Sequence, residues 1–111
     1  MDEAQYRGLI KETLDRVEKA FDQVDPDVVE CASQFGALGL TFTKTGGQKC
    51  ILSSQPSVRQ LWMAVAAKGI AFHFNYDAQS QTWRDDKDGS VEFFPYLTKL
   101  IEEHVGLKLK F

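Results

Sequence analysis

The 111 residues, 43% hydrophobic and 12% aromatic, supply the apolar material for one core; they exclude an intrinsically disordered chain and, by length, a pair of ordinary domains, so one domain over residues 1–111 is expected. The net charge is −3, and Asp2, Glu3, Glu12, Asp15, Glu18, Asp22, Asp25, Asp27 and Glu30 crowd the N-terminal third against only Arg7, Lys11, Arg16 and Lys19, which disfavours nucleic acid as a partner. No apolar run approaches the roughly 18 residues that span a bilayer, and the opening MDEAQYRGLIKE is acidic where a signal or transit peptide is basic; no membrane role is expected, and a cytoplasmic bacterial protein is, ahead of a processed mitochondrial form.

Tyr6, Leu9, Ile10, Thr13, Leu14, Val17, Phe21 and Val24 recur at spacings of three and four, which predicts an amphipathic helix from about Asp2 to Val24. Pro26 stops it, because proline disfavours helical geometry in the residue before it. The period then falls to two. VVECASQF places Val29 and Cys31 inside, ALGLTFT places Leu38, Leu40 and Phe42 inside, and Gly36 marks the turn between them. Thr45 to Gln48 turns the chain into KCILSS, and a loop with Pro56 leads to RQLWMAVA. Lys68 and Gly69 precede IAFHFNY, where Phe72, Phe74 and Tyr76 alternate with Ala71, His73 and Asn75. DAQSQ reads as a loop and TWR as a short sixth strand, anchored by Trp83. From Glu92 a second apolar stripe through Leu97, Leu100, Ile101, His104 and Val105 predicts a helix that holds Pro95 in its first turn and ends at Gly106. LKLKF then trails along the surface or packs back on the domain.

Short links between successive strands predict an antiparallel meander of about six strands, and two amphipathic helices can cover only one face of it. The expected fold class is α+β, a two-layer α-β sandwich. Its second sheet face is left to solvent or to a partner.

No Gly-rich phosphate loop, nucleophile elbow or H-E-x-x-H is present. Cys31 and Cys50 lack a C-x-x-C partner and read as free thiols, and His73 and His104 fall in different elements. The acids say more. At roughly 100° per residue, Glu12, Asp15, Glu18, Asp22 and Asp25 fall on one side of the first helix, and Asp27 and Glu30 extend the ridge toward the first strand. Like charges at i,i+4 and acids near a helix C-terminus weaken a helix, so local stability does not explain them. Hard carboxylate oxygens on an open surface suit weak binding of iron, manganese, magnesium or calcium ions; a solvated helix face, diluted by Lys11 and Lys19, is an equal reading. The same alternation turns Gln60, Trp62 and Ala64 away from the core. Trp62 with Gln60, Arg59 and His73 has the composition of an interaction hot spot, against the plainer reading of a tryptophan half-covered by its neighbours.

These features in order, with ETLD at Glu12 to Asp15, Q-P-x-x-x-Q-x-W-x-A from Gln55 to Ala64, His73–Phe74, W-x-x-x-x-x-G from Trp83 to Gly89 and EFF at Glu92 to Phe94, resemble the frataxin family, specifically its bacterial, CyaY-like members. The resemblance covers nearly the whole chain. It implies two helices on one face of an antiparallel sheet, and weak binding of Fe²⁺ or Fe³⁺ by Glu18, Asp22, Asp25, Asp27 and Glu30, with Glu12 and Asp15 as extensions. It further implies a role in iron–sulfur cluster assembly, as iron donor or regulator, by docking on the cysteine desulfurase and its scaffold protein. Gln55, Gln60 and Trp62 map onto the partner surface, beside Arg59 and His73. A monomer is expected, with iron-dependent oligomers as a further possibility. The alternatives are a ferroxidase or iron store, which needs a closely spaced di-iron site, and a metal-independent acidic interaction module. Ser53, Ser54 and the early Pro56 depart from the family pattern beside Trp62, and Lys19 stands where an acid is common.

Overall fold

Asp2 opens the first helix with a reciprocal cap: its carboxylate accepts from the Gln5 N–H at 2.8 Å, while the Gln5 side chain accepts from the Asp2 N–H at 3.1 Å. The computed structural model describes residues 1–111, in the order α1 (Glu3–Ala20), β1 (Glu30–Gln34), β2 (Ala37–Phe42), β3 (Gln48–Gln55), β4 (Gln60–Val65), β5 (Ile70–Asp77), β6 (Thr82–Asp85) and α2 (Phe93–Val105). The predicted first helix overruns its true end. Beyond Ala20 the chain closes three-residue turns instead, with the Asp22 N–H on the Lys19 carbonyl and the Val24 N–H on that of Phe21. Those turns still bring Phe21 and Val24 against the core, which is why the apolar spacing mimics a longer helix. The Asp25 carbonyl then accepts from both Val28 and Val29, so β1 begins only at Glu30.

The six strands form one antiparallel sheet in sequence order, as the short links require. Cross-strand pairing sets the faces. Leu40 opposes Cys50, Cys50 opposes Val65, Leu52 opposes Met63 and Leu61 opposes Phe74, and all of these are buried. They meet Tyr6, Ile10 and Val17 of α1 and Phe93, Leu97, Leu100 and Ile101 of α2 in one hydrophobic cluster. The two helices therefore lie on the same side of the sheet, and each fully buried Leu or Phe adds about 1.5–3 kcal/mol of apolar burial.

Polar side chains inside this layer are paired. Thr13 is buried and accepts from the Trp83 indole N–H at 3.0 Å, while its own hydroxyl donates to the Leu9 carbonyl at 2.7 Å. Trp83 also meets Tyr76 and Tyr6 edge to face, so it does anchor β6. His104 packs on Phe42 at 4.7 Å between centroids, with Nδ1 3.1 Å from the Leu100 carbonyl, a structural position. Leu107, Leu109 and Phe111 of the C-terminal segment pack back on the core, and Arg16 fastens the end by lying over Phe94 and donating to the Phe111 oxygen at 2.8 Å.

Candidate functional site

The sheet face away from the helices carries the strand residues left over by the inward register. Ala32 opposes Gly39, Gly39 opposes Ile51, Ile51 opposes Ala64 and Ala64 opposes Ala71, which makes a row of small or apolar side chains across five strands. No helix covers it. The next row holds Ser53, Trp62 and His73, paired in that order. The Trp62 and His73 rings stack at 4.1 Å and 15°, and both residues are half-buried. Trp62 is thus neither fully exposed nor part of the core; its neighbour on β5 covers one side of the indole.

A polar chain fixes that ring pair. The Trp62 N–H donates to the Gln60 Oε1 at 2.9 Å, and the Gln60 amide donates to the Asn75 Oδ1 at 3.1 Å and the Asp86 Oδ2 at 3.4 Å. The His73 Nδ1 lies 3.9 Å from the same Asp86 oxygen, and the Asp86 N–H donates to the His73 carbonyl at 2.8 Å. Gln60, Trp62 and His73 are therefore brought together, with Asn75 and Asp86 added. Asn75 alternates with the core residues of β5 and was within reach of the sequence pattern; Asp86 reaches the group only through the β5–β6 register, which no local signal encodes. Gln55 opposes Gln60 at the end of β3. Arg59 stands apart: it takes the left-handed position of the β3–β4 turn at φ 53°, donates to the Pro56 carbonyl and reaches toward the Tyr6 ring. Of the neighbouring serines, Ser53 backs Trp62 while Ser54 turns to the helix side and donates to the Gly36 carbonyl at 3.3 Å.

The expected acidic ridge is spread over several surfaces. Asp15 and Glu18 border a groove between α1 and the β1–β2 hairpin, and Asp15 is paired with Lys11 at 2.6 Å. Burial, with help from the Glu18 and Asp22 charges, pushes the neighbouring Cys31 thiol up to about 11, so these two acids impose their field on β1. Asp22, Asp25 and Asp27 lie beyond the end of α1 in the turn segment, where the Asp25 carboxylate accepts from the Asp27 N–H at 2.9 Å. Glu30 opposes Thr41, which opposes Lys49, and so looks out from the other sheet face. Glu12 borders a separate groove with Arg16, Tyr76 and Trp83. All seven carboxylate residues are exposed, and no three His, Cys, Asp or Glu side chains are grouped closely enough to hold a metal ion. Their hard oxygens suit a hydrated divalent cation held outside any closed cage. Cys50 offers no ligand there, because burial pushes its thiol up to about 12.

The comparisons with known proteins agree with this architecture. A Frataxin-like domain model matches residues 1–107. The iron–sulfur cluster assembly protein CyaY of Stutzerimonas stutzeri is 38% identical over all of this chain and 96% of its own length. That of Pseudomonas aeruginosa is 42% identical over 83% of this chain and 79% of its own. Among solved structures, frataxin from Psychromonas ingrahamii superposes with a TM-score of 0.84 at 21% identity, covering 99% of this chain and 97% of that one. Trimeric frataxin from the yeast Saccharomyces cerevisiae, complexed with ferrous iron, gives 0.69 at 19% identity over 96% and 88%. No helix is long and apolar enough to cross a membrane. By full-length similarity to curated relatives and by the order of its two helices and six strands, the chain belongs to the frataxin family.

Proposed function

We propose that this chain acts in bacterial iron–sulfur cluster assembly as an adaptor on the cysteine desulfurase and its scaffold protein, with iron as a weakly held cargo. The observation that supports this most is the Trp62–His73 stack, braced by Gln60 on a sheet face that neither helix covers. A half-exposed indole ringed by amides and a carboxylate is the kind of anchor that protein interfaces use. The scaffold protein meets this face. The flank made by Asp15, Glu18 and Asp22 meets a basic surface of the desulfurase, and Fe²⁺ binds to the same carboxylates one or two at a time, with water completing its shell. The names borne by the curated relatives point to the same pathway. A ferroxidase would need ligands close enough to bridge two irons, which separate exposed carboxylates do not provide.

Co-purification of the desulfurase and scaffold from cell lysate tests the assignment. Trp62→Ala is expected to lose the scaffold, and Glu18→Lys with Asp22→Lys to lose the desulfurase at low salt first, since flank contacts between exposed charges fall as the Debye length shrinks to about 8 Å at 0.15 M. Retention of both proteins by both variants overturns it.

A further inference from the structure

Asp86 lies one residue beyond β6. Inward and outward positions alternate through the end of that strand: Trp83 and Asp85 are buried, so Arg84 and Asp86 take the outer face. The Asp86 N–H donates to the His73 carbonyl at 2.8 Å, which continues the β5–β6 pairing by one residue and seats the Asp86 carboxylate beside the His73 ring. The loop from β6 to α2 does not use that carboxylate. It is closed by its neighbours: the Asp85 carboxylate accepts from the Asp88 N–H at 3.0 Å, the Asp85 N–H donates to the Val91 carbonyl at 2.9 Å, and the Asp88 carboxylate accepts from the Ser90 N–H and hydroxyl. Arg84 is engaged elsewhere, with Asp77, Ser80 and the Gly89 carbonyl. His73 is the only basic side chain within ion-pair distance of the Asp86 carboxylate.

That one carboxylate bears on both supports of the Trp62 indole. At the edge of the ring, the indole N–H can only donate and a carboxylate can only accept, so the Gln60 amide between them stands one way round. Its oxygen takes the Trp62 N–H at 2.9 Å, and its nitrogen points to Asp86 at 3.4 Å. Asn75, the second acceptor of the Gln60 nitrogen at 3.1 Å, does not fix this direction, because its own amide can turn to offer either atom. On the face of the ring, the His73 imidazole stacked at 4.1 Å turns its Nδ1 toward the same Asp86 oxygen at 3.9 Å. We infer, resting on the role proposed above for this face, that Asp86 is a positioning residue for scaffold docking: through Gln60 and His73 it holds the Trp62 ring in one pose before the partner arrives. A side chain already held in its bound rotamer loses less freedom on docking, which for one side chain corresponds to about three- to tenfold in affinity.

The free chain and its scaffold complex test this separately. In the nitrogen–proton NMR spectrum of the free chain, Trp62→Phe tells the Trp62 indole N–H from that of Trp83. Asp86→Ala is expected to move the Trp62 signal and speed its exchange with solvent about three- to tenfold, to leave the Trp83 signal in place, and to change Tm by less than about 4 °C. Asp86→Asn keeps an acceptor oxygen without the charge and is expected to return the Trp62 signal toward its wild-type position. In titrations with the purified scaffold protein, Asp86→Ala is expected to raise the dissociation constant about three- to tenfold, and Asp86→Asn by less. A Trp62 signal unmoved by Asp86→Ala, or moved as far by Asp86→Asn, overturns the positioning role, and so does a moved signal with undiminished scaffold affinity. A wild-type chain that does not bind the scaffold overturns the docking face itself, and the indole signal still decides whether Asp86 positions Trp62.

Discussion

Thr13 shows how one hydroxyl can join two layers. It sits in the apolar stripe of α1, donates back to Leu9 and accepts from the Trp83 N–H, whose ring is 3% exposed. Thr13→Val keeps the shape and removes the acceptor, leaving a buried indole N–H without a partner. The expected cost is about 1–3 kcal/mol, read as a lower urea midpoint at unchanged slope. Tyr6 plays a similar part, with its hydroxyl accepting from the Gln55 N–H at 2.9 Å and donating to the Gln60 carbonyl at 2.6 Å. Burial raises its pKa above the usual tyrosine range, against the lowering effects of the Gln55 bond and the Arg59 charge. The apolar spacing identifies Thr13 and Tyr6 as inward-facing, but neither polar partner is visible from it. Each bond spans more than forty residues and exists only once α1 lies across the sheet.

Individual elements divide along the same line. Strand periodicity identifies all six strands and the inner faces read for β1, β2, β4 and β5, because period two survives wherever one face is buried and the other is wet. The errors fall at ends where tertiary bonds decide: α1 past Ala20, the start of β1 past Val29, and Arg59, which belongs to a turn and to neither strand. The acidic ridge does not run along a single helix face for the same reason, since Asp22 and Asp25, two of the five acids expected on the first helix, lie beyond its end. The β5–β6 loop is a sharper case, in which Asp77 acts as the organiser. Its carboxylate accepts from the Gln79 N–H, the Ser80 hydroxyl and the Arg84 guanidinium. Those bonds, with Ser80 the largest contributor, hold its pKa below the usual aspartate range. A depressed folded pKa stabilises the fold above the unfolded value of about 3.9 and loses that contribution as pH falls through the lowered one. Thermal melts between neutral pH and pH 2 should therefore show Asp77→Asn converging on the wild type at the acidic end, and a variant equally destabilised at every pH would contradict this.

At the scale of the whole molecule, placing both helices on one side separates what holds the fold together from the Trp62 face proposed for the scaffold protein. The C-terminal segment lies entirely on the first side. Leu107, Leu109 and Phe111 are half-buried against the core, Phe111 is 5.5 Å from Phe94, and Arg16 spans the two. Removing residues 107–111 takes away about half the burial of three large side chains, or about 3 kcal/mol, which for a domain of this size lowers Tm by roughly 10 °C or more. The Trp62 face is across the sheet and shares no side chain with that segment, so the truncated chain should bind the scaffold as the full one does below its melting point. Trp62→Ala should give the opposite pattern. It removes a half-exposed ring stacked only on His73, so Tm changes little while partner binding falls at least tenfold. Melting curves and binding isotherms on the same two variants check both halves. If truncation weakened binding as much as Trp62→Ala does, the two faces would be coupled through the sheet, and the separation argued from its topology would be wrong.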